Sequence, residues 1–300
     1  MQRRFFLRNT GLTAGFLALA PRTLFSNVLQ QPAFKITMLR NDIGIFTERG
    51  GTIAFQISKH GIVVVDSQFP DQSKHLIDEL RKEHEQPFTY LINTHHHSDH
   101  TGGNISFKDM VDHVVGHDNC LANYKRVAAM QKNEDKQLFQ DITFGDTWRQ
   151  KVGKESIKAH YFGAAHTNGD AIIHFEHANI AHMGDLMFNR RYPVIDRSAG
   201  ASLKSWTQVL DKTLSTFSDD TLFVFGHAFD PEKVTGTKED IKFFKDYIEK
   251  LLTFVGSEIK AGKTKEEIVK NTSIPGILGM QGTGIDRNLQ SAYDELTTKA

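Results

Sequence analysis

From about Phe34 onward, short apolar runs broken by glycine and polar turns alternate with longer stripes at helical spacing. Segments 43–48, 52–58 and 62–66 are separated by Gly50-Gly51 and His60-Gly61, a pattern that predicts a β-meander. Residues 72–85 carry Leu76, Ile77 and Leu80 on one side and charges on the other, which predicts a helix. The same reading predicts strands at 89–93 and 113–116, a helix at 120–132, then strands at 156–161, 171–175 and 179–183. A helix is expected at 202–217 and a strand at 221–225. In 238–260 the residues Ile241, Phe244, Ile248, Leu251, Leu252 and Val255 recur at helical spacing, a stripe suited to packing on the domain or on a second subunit. Helical pieces at 265–270 and 287–298 follow. Strands and helices mix without a structureless linker. The pattern predicts one α/β domain over 34–300, its C-terminal helices starting near 238.

Charge narrows the function classes. The 300 residues hold 36 Lys plus Arg and 36 Asp plus Glu, so no global field draws in nucleic acid or an anionic membrane. A single cysteine, Cys120, excludes an intramolecular disulfide framework and a thiolate-rich zinc knuckle. Of the 15 histidines, His60, His75, His84, His113 and His117 lack ligand-like spacing and read as ordinary residues. At the N-terminus, Arg3-Arg4-Phe5-Phe6-Leu7-Arg8 precedes a mild apolar stretch from Gly11 to Ala20, and residues 1–26 resemble a twin-arginine export signal. The competing reading is an amphipathic basic arm. The apolar stretch is about half of the roughly 20 residues a membrane span needs, which argues against a stable anchor. Ala18-Leu19-Ala20 has the small-x-small form of a cleavage site, though Pro21 is unfavourable after it. That route carries folded proteins, and the address it implies is the periplasm.

The densest chemistry lies at His95-His96-His97-Ser98-Asp99-His100, directly after an apolar run. Imidazole and carboxylate suit zinc or another first-row divalent ion. His95 and His97 project to one side of an extended segment, whereas Asp99 and His100 need a turn, which Thr101-Gly102-Gly103 supplies. A first ion on His95 and His97 and a second on Asp99 and His100 is the natural arrangement. Further ligands must come from elsewhere. His166, Asp185 and His227 each sit beside a predicted strand among small residues, where an α/β enzyme builds its site.

The intact His-x-His-x-Asp-His motif, followed in order by His166, Asp185 and His227, resembles the metallo-β-lactamase-fold superfamily over about residues 35–230. The resemblance implies an αββα sandwich, two mixed β-sheets flanked by helices, here with a helical C-terminal tail. It implies one ion on His95, His97 and His166, a second on Asp99, His100 and His227, and Asp185 bridging them. Asp66 looks like the family's strand-end aspartate that supports the metal loop. His96 is expected to point away. Asp170 fits either a carboxylate that orients a ligand histidine or a plain turn aspartate.

Two ions about 3.5–4 Å apart can share a water and bring its pKa towards neutrality. The chain is therefore expected to be a hydrolase with two zinc ions, iron or manganese remaining open, in which Asp99 orients a hydroxide that attacks a small-molecule carbonyl. No Gly-x-Ser-x-Gly is present and Cys120 has no evident partner, so a covalent acyl-enzyme is not expected. β-Lactam, thioester and lactone substrates all remain open. Zinc β-lactamases of the commonest subclass carry cysteine where this chain has Asp185, and lysine where it has Phe188. Arg190 and Arg191 offer either a replacement cation or an exposed basic turn. The alternative class is an oxidoreductase resembling mononuclear iron persulfide dioxygenases; a metal buffer is disfavoured because seven candidate ligands for two ions leave open positions.

Overall fold

In the computed structural model, residues 34–298 are described; the expected export signal at 1–26 lies outside them. The first sheet begins as an antiparallel meander of β1 (Lys35–Met38), β2 (Ile43–Thr47), β3 (Ile53–Ser58) and β4 (Gly61–Val65). After α1 (Pro70–Arg81), β5 (Phe88–Ile92) pairs parallel to β4. The short α2 (Ser98–Thr101) leads to β6 (Val111–His117), and α3 (Asp118–Gln131) to β7 (Ile142–Phe144), both strands adding in parallel to complete seven strands in sequence order.

The second sheet starts with the antiparallel strands β8 (Thr147–Val152), β9 (Glu155–His160), β10 (Ile172–Phe175) and β11 (Ile180–His182). Then come β12 (Phe188–Asn189), α4 (Leu203–Thr216), β13 (Leu222–Val224), β14 (His227–Ala228) and β15 (Thr235–Gly236). The strand order is β15-β13-β11-β10-β9-β8, and β12 pairs with β14 as a separate two-stranded ribbon. Three helices close the described chain: α5 (Lys238–Lys260), α6 (Lys265–Ile268) and α7 (Ile285–Thr297).

Side-chain alternation along the strands divides the core into layers. In β4, Val63 and Val65 face the second sheet, where they join Ile157, Ile173, Phe175 and Val224. Their neighbours Ile62 and Val64 face the other way, onto Leu76, Ile77 and Leu80 of α1. On the far side, Ile172, Ala181 and Phe223 pack against Trp206 and Leu210 of α4, Phe244, Tyr247 and Leu251 of α5, and Leu289 of α7. Each fully buried Val, Ile, Leu or Phe among them contributes on the order of 1.5–3 kcal/mol. The layering is helix, sheet, sheet, helix, as expected.

The stripe on α5 is used within the domain: Ile241, Phe244, Tyr247, Ile248, Leu251 and Val255 are buried there. Its start is set by a capping box in which Thr237 and Asp240 satisfy each other's backbone donors. α1 begins at Pro70, whose missing N–H costs nothing in the first turn. Strands β1, β7 and β8 were not expected from the pattern, and all three lie at sheet edges. An edge strand that exposes one face, as β8 does with Thr147, Arg149 and Lys151, carries little apolar alternation. Among the described residues, no helix is long and apolar enough to cross a membrane.

Candidate metal centre

The loop leaving β5 is held by polar contacts before any ion is considered. Asn93 and Asn104 exchange side-chain hydrogen bonds of 3.1 and 2.9 Å, and Ser67 Oγ donates to Asn104 Oδ1 at 2.7 Å. Asp66, fully buried at the end of β4, accepts from the Thr94 backbone N–H at 2.8 Å, from Thr94 Oγ1 at 2.7 Å and from His100 Nδ1 at 2.7 Å. Its φ of +63° is a left-handed conformation that aspartate tolerates better than most residues. The expected role of Asp66 as support for this loop matches these contacts.

Three other strand ends meet the loop. His166 lies between β9 and β10, Asp185 follows β11, and His227 opens β14 after β13. The backbone ties them together: Gly226 N–H donates to Gly184 O at 2.8 Å, and Thr52 N–H to Gly226 O at 2.9 Å. Glycine at 226 is a steric requirement, because a Cβ there would lie 2.2 Å from Asp185 Oδ1.

All seven predicted ligands converge. His95, His97, His166 and Asp185 offer donor atoms within 4.8 Å of one another, and so do Asp99, His100 and His227. Asp185 stands between the groups: Oδ2 lies 3.5 Å from His166 Nε2 and 3.9 Å from His95 Nε2, while Oδ1 lies 3.0 Å from His100 Nε2 and 3.4 Å from His227 Nε2. Asp99 Oδ2 sits 3.0 Å from His227 Nε2.

In three of these histidines the ring nitrogen that faces away from the cluster is already engaged. His166 Nδ1–H donates to Val194 O at 2.8 Å, His100 Nδ1 faces Asp66, and His97 Nε2 faces Asp196 Oδ2 at 2.9 Å. Anchoring one ring nitrogen aims the other. Among the described residues, His95 Nε2 is buried without a hydrogen-bond partner, and so are His100 Nε2 and Asp185 Oδ1, which lie 3.0 Å apart but are not aligned to bond each other. Each unsatisfied buried group costs roughly 1–3 kcal/mol, and a cation among them would supply the missing partner. The donor set of imidazoles and carboxylates therefore fits one or more divalent ions.

Electrostatics agree. Burial, reinforced by the surrounding imidazoles, holds His95 well below the usual histidine range. Burial and His97 bring His166 down to about 4, so both rings are neutral and able to ligate at physiological pH. Burial works against ionisation of Asp99, but His100 and His227 outweigh it and bring the carboxyl to about 2. Asp185 is likewise kept ionised by His227 and His100 in spite of its burial.

Several other residues take definite roles. His96 is buried but lies outside both ligand groups drawn above, its Nε2 3.8 Å from Asp196. Asp170 accepts from Thr167 N–H at 2.8 Å and Thr167 Oγ1 at 2.6 Å, which makes it an organiser of the His166 turn. Arg190 stacks over the Phe243 ring at 3.4 Å, whereas Arg191 is exposed. Phe188 is buried and stacks on His227 with ring centroids 5.5 Å apart. His117 accepts from Asn119 N–H to cap α3, and His75 pairs with Glu48, in keeping with their reading as ordinary residues. Sequence reasoning missed Asp196, which also accepts from Ser198 Oγ and Ala199 N–H. Only the Asp-x-Ser turn pattern marked it.

Comparison with known proteins places this geometry. The metallo-beta-lactamase superfamily model matches residues 50–227. A metallo-beta-lactamase type 2 from Elizabethkingia meningoseptica is 22% identical over 230 residues, covering 74% of this chain and 89% of that protein. Among solved structures, a metallo-beta-lactamase from Pontibacter korlensis has a TM-score of 0.60 at 17% identity, covering 72% of this chain and 99% of the other. The stereoselective inverting sec-alkylsulfatase Pisa1 from Pseudomonas sp. has a TM-score of 0.67 at 14% identity, covering 87% of this chain and 50% of that one. At these identities the structural likeness speaks for the fold.

Proposed function

Because this chain belongs to the metallo-beta-lactamase superfamily and is a metal-dependent hydrolase, we propose that it uses two zinc ions to hydrolyse a carbonyl substrate directly, without an acyl-enzyme. The observation that carries the proposal is the placement of Asp185, whose two oxygens face different ligand groups. His95, His97 and His166 would hold one ion, Asp99, His100 and His227 the other, and Asp185 would contact both. Ions bound there would acidify a water and offset the charge developing on the substrate oxygen.

The chain's own residues do the rest. Asp99, ionised and partly open to solvent, accepts a hydrogen bond from the attacking water and fixes its direction. Asp66 and Asp196 hold the rings of His100 and His97 in place. Cys120 is buried, and burial together with Asp66 and Asp170 keeps its thiol protonated, so it does not act as a nucleophile. Phe188, packed on His227, leaves no cation three residues after Asp185 for a substrate carboxylate. That favours thioester or lactone cleavage over β-lactam cleavage. We propose export by the twin-arginine route on the strength of Arg3-Arg4-Phe5-Phe6-Leu7-Arg8.

The test is metal analysis joined to a substrate panel. Two zinc ions per chain and chelator-sensitive hydrolysis of a thioester or lactone are expected, with a chromogenic cephalosporin turned over poorly. A single ion per chain, or no carbonyl substrate cleaved, would overturn the reading. Cell fractionation with Arg3 and Arg4 changed to Lys tests export; an unchanged periplasmic yield would sink it.

A further inference from the structure

Beside the metal centre lies a cavity of about 390 Å³ in which His97 and Asp196 form one wall and α3 the other. His96, only 3% exposed, is among its lining residues. Among the described residues, neither His96 ring nitrogen has a hydrogen-bond partner. The contact with Asp196, at 3.8 Å, is too long for a hydrogen bond. A buried imidazole with both valences open is costly to a fold. Here it faces a space large enough for part of a ligand.

We infer that this cavity receives a neutral substituent of the substrate that carries both a hydrogen-bond donor and an acceptor, such as an amide, on an apolar arm. The inference rests on the hydrolase reading above and adds a substrate class to it. The lining carries the argument. Neutral imidazole offers one donor and one acceptor, and an amide answers both. The charged side chains in the wall, Lys136 and Asp196, are of opposite sign, so neither an anion nor a cation is favoured throughout. Gln131 and Asn133, whose Oδ1 lacks a partner among the described residues, add polar groups without charge, while Val127, Ala128 and Pro70 supply the apolar surface. Tyr124 does not compete for the ligand, because its hydroxyl is bonded to Thr101 O at 3.0 Å and Gln137 Oε1 at 2.7 Å. His97 lines the cavity and also belongs to the first ligand group, so the cavity and the metal centre share that side chain as a common wall.

Three probes of one shape separate the possibilities: N-acetylvaline methylamide (neutral), N-acetylvaline (anionic) and valine methylamide (cationic). Binding to the zinc-loaded protein is read by ligand-observed NMR. The neutral probe is expected to bind at least tenfold more tightly than either charged one, and His96→Phe to weaken it at least fivefold at unchanged zinc content. Val127→Trp, which fills the cavity from α3, is expected to do the same and replaces His96→Phe should that variant fail to fold. Equal binding of a charged probe, unchanged binding in both variants, or no binding of the neutral probe would each overturn the inference. Chelator-sensitive turnover of a simple thioester by the wild-type protein is measured alongside; its absence would sink the hydrolase reading while leaving the binding result to stand.

Discussion

Asp196 Oδ2 lies 2.9 Å from Nε2 of His97, on the opposite side of the ring from the nitrogen that faces His166. The carboxylate is itself fixed by Ser198 and Ala199, and the hydrogen bond from His97 holds it well below the usual carboxylate range. It therefore sets both the tautomer and the aim of His97. Changing Asp196 to Asn keeps the shape but removes the charge. Zinc affinity is expected to fall by about 10- to 100-fold, a range common for such outer partners. Competition against a calibrated chelator measures it, and unaltered affinity would reduce Asp196 to a loop residue.

Asp99 has the opposite character, being close to the ligands yet open towards solvent. Removing it in Asp99→Ala takes away a ligand and the acceptor that orients water. The fold is expected to persist, since the side chain is 30% exposed and Asp66 still anchors His100. Turnover is expected to drop by at least about 10²-fold. Circular dichroism and kcat on the same preparation decide the matter; near-normal kcat would exclude the water-orienting role.

The metal-stripped protein is expected to lose stability as pH falls from about 6.5 towards 4. Burial, aided by neighbouring charges, holds His166 at about 4 and His160 at about 4, with His95 well below its ordinary value. Unfolded histidines titrate near 6.5, so below that pH the unfolded chain binds protons that the folded one refuses. These contributions are present above about 6.5 and are lost as pH drops. His100 runs the other way: burial lowers it, but Asp185, Asp99 and Asp66 outweigh burial and raise it. Its contribution is already complete below 6.5, so it does not compensate in that window. Urea midpoints at pH 7, 6 and 5 give the slope; a flat series would contradict these shifts.

What was legible in the sequence follows from how information is spread along the chain. His95 to His100 could be read because the ligands are contiguous and follow a strand. His166, Asp185 and His227 could be read because glycines and strand ends flank them, and Gly226 shows why: the site has no room for a Cβ. The α5 boundaries were legible because a strong apolar stripe starts at the Thr237 cap. Asp196 was not, since its meaning lies in a partner 99 residues away. The edge strands β1, β7 and β8 were hidden for a related reason. Their pairing comes from a neighbour's open backbone more than from their own apolar pattern.

The packing at Gly226 gives a final, steric prediction. In Gly226→Ala the new methyl would sit 2.2 Å from Asp185 Oδ1 and 2.7 Å from the Gly184 carbonyl carbon. The second contact is backbone, and the first is a fully packed carboxylate, so neither yields cheaply. Overpacking of this kind costs about 1–3 kcal/mol, which lowers Tm by roughly 2–12 °C in a domain of this size. Because the displaced atom is the Asp185 oxygen facing His100 and His227, zinc affinity is expected to fall together with Tm. Gly145→Ala is the control: its Cβ would meet only Asp118 Oδ2, at 3.9 Å, and stability is expected to change by less than about 0.5 kcal/mol. Parallel thermal melts and zinc titrations of the two variants separate a local clash at the centre from a general intolerance of alanine. Equal behaviour of the pair would mean that Asp185 has room to move.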